Sequence, residues 1–448
     1  MSKPQVIDDQ EHERAYQKVA AVDVAKKEGV VCVRGPHRSR PGARCSTVWT
    51  VPATMRAVRQ LGAQLAADGI EKVTLESTSD YWRIWYYLLE AAGLDVQLVT
   101  ATQARQLSGR PKTDRLDAQW LARLTENGML RPSFVPPAEI RALRHYARAR
   151  THLTQDRTRC WQRLEKLLED ALIKVSAVAS KLTTASARDM IGALIAGERD
   201  PQVLAGLART RMKAKHAALA EALEGMFASH HAELAQILLD QIAFLDARIS
   251  QLTGSIENLI DAIPAAWGAD GDGVTGTGAG TGPGAAALPA VMRLEEIPGV
   301  SAELACSIIA ETGLDMSRFP TPGHLVAWAG LCPRTLQSGL RTRQAKAHGN
   351  TYLRGYLGEA AMGAARTATF LGERHARIAR RRGAAKAQVA VARSIAVITW
   401  HLLADRGTRF RDLGPSHYQH HIDKNRSTRN HIRQLQALGY QVTLTPAA

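Results

Sequence analysis

The chain has 448 residues, with 58 Lys+Arg against 42 Asp+Glu, a formal charge of +16 and a pI near 9.9. That length suffices for two or three domains with their own cores, and the charge points to a polyanionic partner, nucleic acid ahead of an acidic membrane surface. No run of 18 apolar residues is present and "MSKPQVIDDQEHERAY" has neither a signal-peptide nor a transit pattern, so the expectation is a soluble, intracellular chain with no membrane partner.

Five cysteines (Cys32, Cys45, Cys160, Cys306, Cys332) are odd in number and include no C-x-x-C pair, which argues against a disulfide framework or a zinc finger. The histidine groups "SHH" and "HYQHH" lack a spaced second ligand pair and are read as surface histidines.

In chain order, "QKVAAVDVAK", "VVCVRG" and "STVWTVP" read as three β-branched strands in a meander. A helix over Thr54 to Ala67 follows, then strand "KVTLES", helix "YWRIWYYLLEAAG", strand "DVQLVT" and a helix opening in "KTDRLDAQWLARL". Three strands and then alternating helix and strand is the order of a ribonuclease-H-like (RuvC-like) α/β domain, expected over residues 1–138.

Residues 139–264 are expected to form a helical coiled-coil domain. Leu238, Ile242, Leu245, Ile249, Leu252, Ile256, Leu259 and Ile263 alternate spacings of four and three, a heptad seam whose partner is either the segment Ile140 to Val175 or another protomer. Residues 265–290 are Gly, Ala and Thr with little to bury and read as a flexible linker.

A mainly α domain is expected over 291–415, ahead of a basic tail over 416–448. It starts with "LEEIPGVSAELACSIIAETG", which is either a helix-hairpin-helix whose turn offers N–H groups to a DNA phosphate or an ordinary helical corner. From Arg334 to Asp412, sixteen Lys+Arg face four Asp+Glu, so most of the chain's excess charge is concentrated here. Phosphate contacts from this block would supply affinity without sequence specificity.

The acids carry the chemistry. Asp23 lies inside "VAAVDVA" and Glu76 inside "VTLES", positions where an ionised carboxylate is costly unless paired or metal-bound. Asp114 and Asp117 are three apart at a helix start, where Thr113 would be an N-cap and the helix dipole alone would favour acids. Four convergent carboxylates would repel unless divalent cations neutralise them, and oxygen-only ligation suits Mg²⁺ or Mn²⁺ rather than zinc.

With "D-R-x-D-A" at residues 114–118 and the run "LVAWAGLCPRTLQSGLRTRQAKAHGNTYLRGYL", the chain resembles the DEDD transposases of the bridge-RNA-guided insertion-sequence recombinases, the one-ten group of insertion sequences. The resemblance implies Asp23, Glu76, Asp114 and Asp117 as catalytic metal ligands and Ser338 as a nucleophile that forms a covalent phosphoserine–DNA link. It implies one composite centre, from the same or different protomers. Donor and target DNA, a noncoding bridge RNA and a homodimer or tetramer are the implied partners, in a bacterial or archaeal cytoplasm beside the nucleoid.

On its own surroundings Ser338 is also readable as a turn serine, in a loop between Pro333 and Arg341 and Arg343. Arg334, Arg341, Arg343, Lys346, Arg354, Arg380, Arg381 and Arg382 are the candidate nucleic-acid contacts. Two other readings compete: a metal-dependent RuvC-like nuclease or junction resolvase without strand exchange, and a noncatalytic DNA-bridging coiled-coil protein.

Overall fold

The computed structural model describes residues 5–7, 14–37, 39–40, 42–77, 79–100, 113–266, 288–338, 341–345, 349–417 and 424–444. The chain divides into two compact units, Met1–Val135 and Pro136–Ala448.

The first unit is built on a six-stranded sheet of β1 (Gln5–Ile7), β2 (Val19–Val24), β3 (Glu28–Pro36), β4 (Arg44–Pro52), β5 (Lys72–Ser77) and β6 (Val96–Thr100), in the order β1-β4-β3-β2-β5-β6. β2, β3 and β4 form an antiparallel meander, while β5 and β6 add in parallel beside β2. The alternation of side chains along β2 divides its residues between two cores. Ala20, Val22 and Val24 face α1 (Met55–Ala67) and α2 (Trp82–Ala91), where Leu61, Leu65, Trp85 and Leu89 are buried. Val19 and Ala21 face α3 (Asp114–Glu126), which lays Ala118, Leu121 and Ala122 on the opposite side. The short β1, which pairs with β4, was not legible in "PQVIDD" because three residues are too few to show a period.

The second unit opens with α4 (Ala138–Asp170), continues through α5 (Ala185–Ile195), α6 (Pro201–Gly206) and α7 (His216–Leu223), and returns along α8 (Ser229–Asp261). α4 and α8 run antiparallel, as the bonded pairs Arg150–Thr253, Arg157–Asp246 and His231–Asp170 require. The seam partner is thus in the same chain. Ile242, Ile256 and Ile263 of the heptad are buried, whereas Leu245, Ile249 and Leu252 are half-covered, because α4 offers Arg150, Thr154 and Arg157 there. Between the long helices in sequence, α5 to α7 pack around Ile173, Met190, Ile191, Leu204 and Leu219, in a core they share with Leu164 and Leu168 of α4 and Ala235 of α8. Within the stretch expected as a coiled coil there are thus two long antiparallel helices and a small helical cap.

After residues 267–287, most of the Gly-rich stretch and outside the described residues, come α9 (Ala290–Glu295), α10 (Ala302–Thr312) and α11 (Pro322–Trp328). The hairpin of β7 (Arg334–Ser338) and β8 (Arg341–Ala345) is followed by α12 (Thr351–Ala364), α13 (Phe370–Arg382), α14 (Ala384–Ala404) and α15 (Lys424–Ala437). α14 has the length and apolarity of a membrane span by composition, but it packs against α9, α11, α12 and α13 with Val391, Ile395, Thr399 and Leu402 buried.

Candidate active site

β2 and β5 are paired up to Val22–Leu75, so Asp23 and Glu76 occupy the next register position on adjacent parallel strands, about 4.8 Å apart in strand spacing. Asp23 shares its face with Val19 and Ala21, and Glu76 shares its face with Thr74; this is the face that α3 covers. Both acids are half-buried, while Val22, Val24 and Leu75 around them are buried.

α3 begins at Asp114 because Thr113 caps it, its Oγ1 accepting from the Leu116 N–H at 3.3 Å. Asp114 is exposed and Asp117 half-buried in that first turn, so the dipole reading of these two acids and the ligand reading are compatible. The other end of α3 is locked. Glu126, fully buried, accepts from Arg34 Nε at 2.7 Å and from Arg44 Nη2. Beside it, Thr125 donates to the Leu121 carbonyl and meets the Thr74 hydroxyl at 2.7 Å, and Thr74 accepts from Gln97 Nε2 at 2.7 Å. Thr74 is two residues from Glu76 on the same face, so this network ties the helix carrying Asp114 and Asp117 to the strand carrying Glu76.

The donor set is all oxygen, which fits a hard divalent cation. Among the described residues the structure brings Asp23 and Glu76 together by register but does not draw three of the four carboxylates within 4.8 Å of one another, in keeping with the repulsion of like charges. The trio at that spacing is Asp170, His230 and His231. It corrects the surface reading of "SHH" for His231, which is 5% exposed, while His230 is exposed as expected. His231 Nδ1 accepts from the Ala228 N–H at 3.0 Å, which leaves the ring proton on Nε2, where it faces Asp170 Oδ2 at 3.1 Å. The nitrogen a metal would need is thus committed to fastening α8 to the end of α4.

Ser338 is not in a loop: it is the last residue of β7, paired with Arg341 across the hairpin. The register continues Leu336–Arg343 and Arg334–Ala345, and the two-residue period places Arg334, Arg341 and Arg343 at positions on the same hairpin face as Ser338. The sequence signal was present in "RTLQSGLRTRQA", where two residues, glycine first, separate two alternating runs. Lys346 lies outside the described residues. Arg354 is half-buried on α12; Arg380, Arg381 and Arg382 are exposed together on the last turn of α13, with Arg380 at 3.2 Å from Glu373. Cations at a helix C-terminus also suit the dipole, so these three have a structural reason as well.

The Pro-Gly turn before α10 is not held out into solvent. Gly299 has φ +88°, and a Cβ there would lie 2.2 Å from the Ala360 carbonyl of α12. Sequence reasoning passed over Arg34, Arg44, Glu126, Glu311 and Asn350, whose long-range charged partners lie 39 to 167 residues away along the chain.

The strand order and the helix across its face define a ribonuclease-H-like N-terminal domain, followed by a mainly helical region. Two family models match: the DEDD transposase model of the IS110 group, described as "Transposase", over residues 20–173, and the model described as "Transposase IS116/IS110/IS902 family" over residues 291–376. Together they cover more than half of the chain, which belongs to the IS110-type transposases. A comparison with curated proteins found no match. The protein is a DNA transposase acting in transposition and DNA recombination, and membership in a DEDD family implies divalent-metal use.

Proposed function

We propose that the protein cuts and rejoins DNA through a covalent phosphoserine intermediate made by Ser338, with a divalent cation, Mg²⁺ or Mn²⁺, held by Asp23, Glu76, Asp114 and Asp117. The observation that carries the reading is the register of β7 and β8, which sets Ser338 on one hairpin face with Arg334, Arg341 and Arg343. Three arginine positions that share a face with one serine position would suit a phosphodiester, attracting it and stabilising the charge that develops on its oxygens.

Ser338 Oγ attacks the phosphorus, an Oγ–P bond forms, the bond to one DNA oxygen breaks, and the serine proton ends on that leaving hydroxyl. The hydroxyl of a partner duplex then attacks the phosphoserine, restores the serine and leaves a new phosphodiester, so bond energy is conserved without ATP. A cation on the four acids would supply charge neutralisation at the scissile phosphate. The family resemblance further supports guidance by a noncoding RNA, with base pairing reading the sequence while the basic block holds backbone phosphates.

The test is Ser338→Ala with donor and target duplexes and Mg²⁺. Covalent protein–DNA adducts and strand exchange are expected to disappear together. Cleavage that persists in the variant would instead identify a metal-dependent nuclease in which water is the nucleophile.

A further inference from the structure

We infer that Glu311 and Asn350 are positioning residues that fix the root of the β7–β8 hairpin, and through it the place at which Ser338 is presented. The inference rests on the reading of Ser338 as the nucleophile.

Glu311, at the end of α10, has no exposed surface. Its carboxylate takes a two-pronged contact from Arg148 of α4, Nε to Oε1 at 2.7 Å and Nη2 to Oε2 at 2.9 Å, while Arg144 Nε lies 3.3 Å from Oε2. The carboxamide of Asn350 donates to the same Oε2 at 2.6 Å. Asn350 also caps α12, its Oδ1 accepting from the Tyr352 and Leu353 N–H groups, and its own N–H donates to the Trp328 carbonyl at 2.8 Å.

Trp328 stands just before the hairpin and Asn350 just after it, so one residue ties both ends. The ends touch at their backbones: a Cβ on Gly349 would lie 2.4 Å from Gly330 N and 2.6 Å from Trp328 O. The two arginines extend the grip, Arg144 over the Trp328 ring at 5.9 Å and Arg148 over the Tyr352 ring at 4.4 Å.

A buried carboxylate with two guanidinium groups is a poor way to gain stability, since well-packed apolar residues of similar volume do as well or better. It is a good way to fix direction, because a two-pronged ion pair admits one geometry. Here that geometry is imposed on the two-residue root, 330 and 349, of a hairpin whose far end bears Ser338. A misplacement of about 1 Å at a reacting atom can cost on the order of a hundredfold in rate.

Asn350→Ser tests this, because serine keeps a helix-capping oxygen and removes the donor to Glu311. DNA affinity is expected to stay within about twofold, and the rate of covalent adduct formation to fall by about tenfold or more. Amide exchange over residues 334–345 should quicken while α10 and α12 keep their protection. Asn350→Asp, which also keeps the cap but sets a carboxylate against Glu311, should show the same pattern more strongly. An adduct rate within about twofold of the parent in both variants, or a loss with no faster exchange in the hairpin, overturns the inference. Adducts that survive Ser338→Ala in a parallel arm would remove the nucleophile reading instead.

Discussion

Asp23 and Glu76 stand side by side at the C-terminal ends of two parallel strands, one register step past the Val22–Leu75 pair. Neither position follows from folding economy: both interrupt strands whose neighbours are buried valines and leucines. The same face is crossed by α3, which begins with Asp114 and Asp117 and is bolted down at its far end by Glu126. The helix that carries Asp114 and Asp117 is therefore anchored at its other end by a buried ion cluster.

Glu126→Gln is expected to expose that dependence. It leaves Arg34 and Arg44, each 2% exposed, facing a neutral amide, and breaking a buried pair by removing one partner costs about 3–5 kcal/mol. Thermal unfolding should fall by many degrees while Arg34→Lys, which keeps a charge but loses the planar fork, falls less. A melting temperature unchanged in Glu126→Gln would mean that the cluster does not hold α3.

Gly299→Ala should destabilise the second unit. The added methyl would meet the Ala360 carbonyl at 2.2 Å and the Ala364 nitrogen at 2.4 Å, and the φ of +88° is unfavourable for any side chain. A loss of at least about 2 kcal/mol in chemical denaturation is expected, since neither obstacle is a movable side chain. Alanine tolerated without cost would show that the turn can lift off α12.

Burial pushes the Cys32 thiol up to about 12, against a partial opposing pull from Arg34, and burial likewise raises Cys306 to about 12. A thiol whose folded pKa lies above its unfolded value of 9.0 contributes stability that is complete below pH 9 and is lost as pH rises toward 12. Denaturation midpoints should therefore drop across that alkaline window, and less so in Cys32→Ala relative to its own neutral value. At neutral pH a thiol-directed alkylating reagent should label the half-buried Cys45 and Cys332 well before Cys32 and Cys306. Equal labelling rates in the native protein would contradict the buried assignments.

Local periodicity made most of the first unit legible: β2 to β6, α1, α2 and the start of α3 follow from β-branched runs, apolar spacing and the Thr113 cap. The acids were legible because an ionised group in an apolar strand stands out against its neighbours. Ser338 was found by resemblance, and its strand was missed although "RTLQSGLRTRQA" carries the two-residue break of a hairpin, because the arginine-rich runs on either side lack the apolar face by which strands are usually read. Glu126, Glu311 and Asn350 were illegible for another reason. An ion pair between residues far apart in the chain leaves no local pattern, and a lone Glu near a helix end looks the same whether solvated or fully buried. His231 likewise reads as a polar surface residue until α4 and α8 are brought together.

Binding of Mn²⁺ to the protein in the presence of DNA, followed by electron paramagnetic resonance, tests the central claim most directly. Loss of at least about tenfold in affinity is expected separately in Asp23→Asn, Glu76→Gln and Asp117→Asn, with circular dichroism unchanged, because each would remove one oxygen ligand from a shared cation. Mn²⁺ affinity equal to the parent's in all three variants would mean that these acids do not meet around a metal.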